Sequence, residues 1–409
     1  MAQSKPKSIR RVNQLIAVQS LASFTQWLDI FLIFSMPVFL WGAKPQEIAV
    51  LAALFGLPSL ILGPLVGAYL DRNNPFNLMF MGAIFRTILT FMLIFSWDIY
   101  IFGGLFFLKG IANLVYWPSS TIVINRLVVE PKRVGFFSIQ STVDQLLKIS
   151  APLLAGLIIS NLNYSSVFVI SAISSFLCCM LIPSLFIKEK IDLTKNKRDV
   201  TTLARDLFEG FKMTKSLENT LVISISFSLL ISLSLAIFDP HLASFLKEEG
   251  YSSATFSILV SSTGLGAVIG AALVRLFMKN SQPLTLIYIG VSAYTLSMFI
   301  LVVTIYVKTE PLELMHLAFI WVINGLGYEI LLIGALVNIQ NLCPKGMLGK
   351  ISTSVRSFQM TCVILGPSLG AFIIVNSDRT MPFYVASCLS FIVFIVSSYV
   401  QLKPSRKTS

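Results

Sequence analysis

Long apolar runs separated by short polar stretches recur from one end of the chain to the other. A helix needs roughly 20 apolar residues to cross the hydrocarbon core of a bilayer, and runs of that length predict twelve spanning helices. Six fall in the first half, at 13–41, 46–70, 77–96, 100–128, 134–160 and 164–187. Six more follow at 220–245, 253–277, 283–307, 314–342, 349–375 and 382–402. The one long connection is 188–219, at the middle of the chain. Within it Leu203, Leu207, Phe208 and Phe211 fall at i, i+4, i+5 and i+8, one apolar stripe on a short amphipathic helix expected at the membrane surface. The expected organisation is an all-α polytopic membrane protein: a six-helix half over 1–187, a linker over 188–219, a second six-helix half over 220–402 and a tail over 403–409.

Composition agrees with that pattern and excludes a water-soluble enzyme of the same length. Hydrophobic residues make up 55% of the 409 and charged residues only 12%, about half the charged share of soluble domains. The net charge of +12 would ordinarily suggest nucleic acid or anionic lipid as partners. Here the charges sit between apolar runs, where they report topology, and no nucleic-acid partner is expected. Of the 31 Lys and Arg, 23 fall on the loops and ends that share a side with the termini and 4 on the opposite loops. That bias places both termini in the cytoplasm. The five cysteines form no CxxC pair and are expected to pack as small apolar residues. The opening MAQSKPKSIRR leads into a long helix, so no cleavable signal segment is expected.

The two halves repeat one another. Gly67-Ala68-Tyr69-Leu70-Asp71-Arg72 ends span 2, and Gly270-Ala271-Ala272-Leu273-Val274-Arg275 ends span 8. Ala151-Pro152-Leu153-Leu154-Ala155-Gly156 in span 5 is echoed by Gly366-Pro367-Ser368-Leu369-Gly370-Ala371 in span 11. Paired six-helix repeats with a substrate site near the midplane are one of the architectures of secondary transporters.

With these motifs the chain resembles the major facilitator superfamily, and within it the branch of macrolide-efflux proteins and the enterobactin exporter. Gly67, Asp71 and Arg72 match the start of the superfamily's loop 2–3 motif. Leu28-Asp29, Arg86, Trp117-Pro118, the 206–215 segment DLFEGFKMTK, Gly264-Leu265-Gly266-Ala267, Cys343-Pro344, Gly349-Lys350 and Gly366-Pro367 are similar to that branch. Asn74-Pro75-Phe76 stands where the loop motif ordinarily continues with glycine and basic residues. Spans 5 and 11, through Pro152 and Gly366-Pro367, resemble the antiporter motif, although Ala151 replaces its first glycine. Small residues there are equally suited to close helix packing. The resemblance implies that spans 1, 4, 7 and 10 line a central cavity, spans 2, 5, 8 and 11 flank it, and the others lie outside.

An ionisable side chain at the middle of a span costs about 2.5–3.5 kcal/mol on insertion scales, so each one needs a reason. Gln19, Ser23, Gln26 and Asp29 form one polar stripe on span 1. Asp29 and Glu329, which follows Asn324 and Tyr328 on span 10, are candidates to carry a coupling proton, with Asp144 next. The plainer alternative for Asp29 is a structural pair with a basic residue, and for Glu329 it is to be the partner of Lys109 or another cation. Lys109, Asn113, Trp117 and Ser120 share one face of span 4, a wall suited to a solute with an aromatic or carboxylate part; Lys109 is alternatively long enough to snorkel to the headgroups. Asp144 and Lys148 stand at i, i+4, acid first, the favourable order for an internal pair. Candidate cavity residues are therefore Gln26, Lys109, Asn113, Trp117, Lys148, Asn324 and Tyr328. Arg86 is expected to fix packing on an outer helix, and Arg356 to reach the loop at Asp71. Asp239-Pro240-His241 is a point where span 7 is able to bend.

No GxxxxGK[ST], GxSxG or HExxH segment occurs, and no loop is large enough for a catalytic domain. Neither enzyme activity, cofactor nor metal is expected. The reading that follows is a secondary transporter of the bacterial inner membrane, working as a monomeric unit. It would be a proton-coupled exporter of a small drug-like or siderophore-like molecule, or else an importer or facilitated carrier on the same fold. A membrane sensor or scaffold without transport would not need intramembrane carboxylates in both halves.

Overall fold

The structure, a computed structural model, describes residues 5–70, 73–128, 130–186, 219–307, 313–343 and 348–402. The amphipathic segment at 201–215, Asp71 and Arg72 lie outside the described residues. Among those described, the chain is helical throughout, and twelve helices are long and apolar enough to cross a membrane. It divides into two compact units, Met1–Trp41 with Leu54–Ala204 and Gly42–Ala53 with Arg205–Ser409.

The first unit is built from α1 (Lys5–Trp41), the part of α2 (Pro45–Leu70) from Leu54 on, α3 (Pro75–Leu93), α4 (Ile99–Leu127), α5 (Glu130–Asn161) and α6 (Tyr164–Leu181), the last closed by a 3-10 turn at Ile182–Leu185; the start of α2, to Ala53, belongs to the second unit. Local chemistry sets several starts. The Asn74 side chain accepts from the Phe76 amide, with Pro75 in the first turn, where its missing N–H costs nothing. Asp98 accepts from the Tyr100 and Ile101 amides to open α4, and Asn163 from the Ser166 amide to open α6. Helix α1 packs on α5 and α6, α3 on α4 and α6. Leu15, Val18 and Ala22 of α1, Met79 and Ala83 of α3, Tyr116 and Val123 of α4 and Cys178 and Cys179 of α6 meet in one buried core. The opposite faces of α3 and α6 expose Phe85, Ile88, Phe91, Ile173 and Phe176. Such a surface suits hydrocarbon, where apolar exposure carries no penalty.

The second unit comprises α7 (Asn219–Phe238), α8 (Leu242–Glu248), α9 (Ser253–Phe277), α10 (Pro283–Val307), α11 (Leu314–Leu342), α12 (Leu348–Asn376) and α13 (Met381–Leu402). Its neighbour pattern repeats that of the first: α7 packs on α12 and α13, α11 on α9 and α10, and α10 on α13. The seventh apolar run is not one continuous helix. A 3-10 turn at Asp239–His241 separates α7 from α8, because Pro240 has no N–H to continue the ladder. Helix α13 is capped by Asp378, which accepts from the Thr380 hydroxyl and from the Thr380 and Met381 amides. These bonds, the hydroxyl's foremost, hold the Asp378 carboxyl below the usual carboxylate range.

Helix α11 is clamped backbone to backbone. A Cβ on Gly266 of α9 would lie 2.0 Å from the Val322 carbonyl oxygen, and one on Gly325 would lie 2.0 Å from that of Thr263. On the other side of α11, Gly290 and Gly327 each occupy the space a Cβ on the other would need. Without a hydrophobic drive between helices in lipid, such close approach supplies the packing.

The expected outcome is a contrast between glycines. Gly266→Ala or Gly325→Ala meets backbone that cannot rotate away, so thermal unfolding of the purified protein should show a loss of about 1–3 kcal/mol or more. Gly104→Ala, with nothing within 4 Å, should be neutral or slightly stabilising, since alanine is the better helix former by about 1 kcal/mol. Equal melting of all three variants would remove the clamp.

Candidate functional site

The polar stripe of α1 turns inward, and what it meets is α4 and α3. Lys109 Nζ lies 2.8 Å from Asp29 Oδ1, and both side chains are only 1% exposed. Lys109 is therefore internal and does not snorkel. Its carboxylate partner is Asp29 of the same unit, brought to it by the packing of α1 on α4, and not Glu329, the partner the sequence offered. Further along the stripe the Gln19 amide donates to the Ser120 hydroxyl of α4.

Arg86 lies deeper along the same helices. It is buried, and α3 presents it toward α4 and α1. Its Nη2 donates to the Ala22 carbonyl at 3.1 Å, and its guanidinium carbon lies 4.7 Å from the Tyr116 ring centroid and 5.5 Å from that of Trp117. Stacking over aromatic faces suits a guanidinium taken out of water. Arg86 acts electrostatically on both Asp29 and Lys109. Two buried polar atoms of the cluster, Asp29 Oδ2 and Arg86 Nε, have no hydrogen-bond partner, nor does the nearby Asn113 Oδ1.

A second group of polar residues in this unit is only half buried. The Trp117 indole donates to Gln26 Oε1 at 3.4 Å. The Trp27 indole donates to Asp144 Oδ1 at 3.2 Å, and Lys148 Nζ lies 5.5 Å from the Trp27 ring centroid. Asp144 and Lys148 thus both engage one indole from α1. Gln26, Trp27, Asn113, Trp117, Asp144 and Lys148 all retain exposed surface, so a solute is able to rest against them, which Asp29 and Lys109 do not permit as they stand. Trp27 was not among the residues singled out in the sequence. Its only sequence signal is an indole two positions before Asp29, and nothing linear ties it to 144 and 148.

In the second unit the candidates sit in a network of hydroxyls and amides. Tyr328 and Ser232 hydroxyls lie 3.0 Å apart, joining α11 to α7. Buried Asn324 donates to Ser297 Oγ at 3.2 Å, and Ser234 bonds both the Tyr294 hydroxyl and the Ala386 carbonyl. Glu329 is half buried and acts electrostatically on Tyr328. Gly366 and Gly370 press α12 onto α7: a Cβ at 366 would lie 2.4 Å from that of Ala236, and one at 370 would lie 2.1 Å from the Ile237 oxygen. His241 Nε2 donates to the Pro367 carbonyl at 2.8 Å, the oxygen having no proton to give. The motif thus packs α12 against the break in span 7. Pro152 is buried in mid-α5, and Gly67 lies in α2. Arg356 lies on α12, and its side chain falls outside the described residues, as do its expected partner Asp71 and Arg72.

Three kinds of likeness accompany this geometry. The family model of the Major Facilitator Superfamily matches residues 16–360. An uncharacterised MFS-type transporter of Bacillus subtilis (strain 168), YfiS, is 21% identical over 395 residues, covering 94% of this chain and 91% of the relative. Among solved structures, a mutant of the nucleoside transporter NupG superposes with a TM-score of 0.77 at 15% identity, over 95% of this chain and 99% of its own. A POT family transporter in complex with 5-aminolevulinic acid does so with a TM-score of 0.73 at 14% identity, over 96% of each chain. At those identities the structures share the fold.

Removing one member of a buried ion pair strands the other at a cost of about 3–5 kcal/mol. Asp29→Asn should therefore lower the folded yield in membranes, and adding Lys109→Gln should recover part of it. The measurement is monodisperse protein recovered from solubilised membranes. A single variant with unchanged yield, or a double variant worse than either single, would contradict a structural contribution from the pair.

Proposed function

Because the chain belongs to the Major Facilitator Superfamily, a family of transporters and not of enzymes, and is an integral multi-pass membrane protein, we propose that it is a proton-coupled exporter of a small organic molecule, working by alternating access. The observation that carries the coupling is the Asp29–Lys109 pair, two opposite charges 2.8 Å apart in mid-helix and away from water. Charges so placed are expensive in a membrane and mark proton or substrate pathways. Support for the direction of transport comes from the resemblance to macrolide-efflux proteins and the enterobactin exporter, which also makes drug-like and siderophore-like solutes the first substrates to try.

The half-buried surface of the first unit favours a particular solute. Trp27 and Trp117 offer aromatic faces, Gln26 and Asn113 offer amides, and Lys148 and Asp144 offer one charge of each sign. That set suits a molecule with an aromatic part and a carboxylate or zwitterionic group better than a purely lipophilic cation. Glu329 and Tyr328 are the corresponding candidates of the second unit. The transporter works as a monomer in the bacterial inner membrane. The excess of Lys and Arg on the loops that share a side with the termini supports cytoplasmic termini.

Inside-out vesicles with an imposed pH gradient test this reading, using labelled aromatic carboxylates, siderophores and drugs, with a nucleoside and 5-aminolevulinic acid added because structural neighbours handle them. Accumulation should require an acidic lumen and disappear when the gradient is dissipated. Asn in place of Asp29 should abolish gradient-driven accumulation while exchange between equal substrate pools persists, since a loaded carrier still reorients. Glu329→Gln is tested alongside; if both variants keep full coupling, Asp144 is next. Movement in the opposite direction under the same gradient would make the protein an importer. For topology, a cysteine at Lys247 should react with an impermeant reagent applied to intact cells and one at Lys279 should not; the reverse labelling would invert the orientation.

A further inference from the structure

Helices α10 and α13 of the second unit are tied together at the end nearest the C-terminus. There the Gln401 amide donates to the Thr285 hydroxyl at 3.0 Å, and the Tyr288 and Phe394 rings stack with centroids 6.1 Å apart. Near mid-length the Thr295 hydroxyl donates to the Ser390 carbonyl at 3.1 Å. From the stacked rings toward the far ends, a groove of about 640 Å³ lies between the two helices, from Ser292 to Val302 on α10 and from Phe394 to Tyr384 on α13. Small side chains at Ser292, Thr295 and Ser387 leave this space, and the exposed Leu296, Phe299 and Phe391 stand beside it.

The length of the groove identifies what fits it. Ten residues separate Ser292 from Val302, and ten separate Tyr384 from Phe394. At 1.5 Å per residue the groove is about 15 Å long, half of a hydrocarbon core about 30 Å thick. Ser292 lies nine residues inside α10 and Val302 five residues from its other end, so the groove covers the leaflet away from the C-terminus. Its hydroxyls are already engaged. Ser292 donates to the Tyr288 carbonyl at 2.7 Å and Thr295 to that of Ser390, and among the described residues no groove residue has a buried polar atom without a partner. A polar solute would find no bond on offer there.

We propose that this groove binds one acyl chain of a bilayer phospholipid from that leaflet, with the methyl end at Ser292 and Phe394 and the headgroup end at Val302 and Tyr384. A lipid tail on a convex helix face touches protein on one side, whereas a tail in the groove is touched by two helices at once. Inside a bilayer there is no hydrophobic drive to separate the two situations, so the number of dispersion contacts does. The site is independent of the direction and coupling of transport.

The test uses the full chain in phosphatidylethanolamine–phosphatidylglycerol vesicles that contain a phospholipid with a diazirine in one acyl chain, placed near the ester or near the terminal methyl. After irradiation, peptide mass spectrometry locates the adducts. Groove peptides should be labelled several-fold more than the exposed apolar face of α3 and α6 at Phe85, Phe91 and Ile173, and their labelling should saturate as the share of probe rises. The near-ester probe should mark Val302 and Tyr384, and the methyl-end probe Ser292 and Phe394. Cys388→Trp, which fills the groove from an exposed position, should reduce groove adducts several-fold and leave the α3 and α6 face unchanged. Cys388→Ser, which keeps the space, should alter neither. Equal labelling of the two surfaces would mean ordinary boundary lipid and overturn the site, as would the reverse order of the two probes or undiminished labelling in Cys388→Trp. Displacement of the probe by an apolar aromatic solute that leaves the α3 and α6 face labelled would assign the groove to a solute instead. If Cys388→Trp does not fold, the wild-type contrast and the order of the probes still decide.

Discussion

A charge removed from water inside a bilayer has only protein to solvate it, and the first unit is arranged around that constraint. Asp29 and Lys109 come from two different helices, and each is tolerable only because the other is present. The pair fixes the rotation of α1 against α4, since a helix turned by one residue would swing Asp29 about 100° out of reach. Arg86 does the same for α3, with two aromatic faces and a backbone carbonyl completing its surroundings. Leu15, Val18, Met79, Ala83 and Tyr116 then pack in the register the charges impose.

The second unit solves the same packing problem with other means. Glycines let α9 and α10 approach the backbone of α11, and serine and tyrosine hydroxyls tie α7 to α10, α11 and α13. Hydroxyls that bond the carbonyl one turn earlier, as Ser224 does with Thr220, carry their own acceptor and can face hydrocarbon or protein alike. Two repeats with the same order of neighbours have thus diverged in their chemistry: directional charge in one, close backbone contact in the other. A transporter of the Major Facilitator Superfamily needs parts that keep their internal shape while access changes, and both devices provide them.

Depth sorts the polar residues of the first unit into two groups with different chemical capacities. Asp29, Lys109 and Arg86 are sealed, so only a proton or a rearrangement of the helices reaches them. Gln26, Trp27, Asn113, Trp117, Asp144 and Lys148 keep surface and present aromatic, amide and charged groups together. Asp144 and Lys148 are held through Trp27, so contact with a solute at the indole would be felt by both charges.

Much of this protein is legible in its linear order, because a bilayer imposes length and polarity on each segment separately. Twelve apolar runs, their spacing and the stripe ending at Asp29 follow from residue-by-residue hydropathy, and so does the suspicion that every intramembrane charge has a task. The repeat of Gly67–Arg72 at Gly270–Arg275 is likewise a property of the string. What the string does not contain is which charge faces which. Lys109 was matched in the sequence with Glu329, and only the packing of α1 on α4 gave it Asp29 instead. Arg86 read as a packing residue, but that it packs on Tyr116, Trp117 and the Ala22 carbonyl depends on the rotation of α3. Trp27 carried no mark at all, since its role depends on Asp144 and Lys148, more than a hundred residues away. Hydropathy is a property of single segments, whereas pairing depends on the rotation of several helices at once, and that rotation exists only in the folded chain.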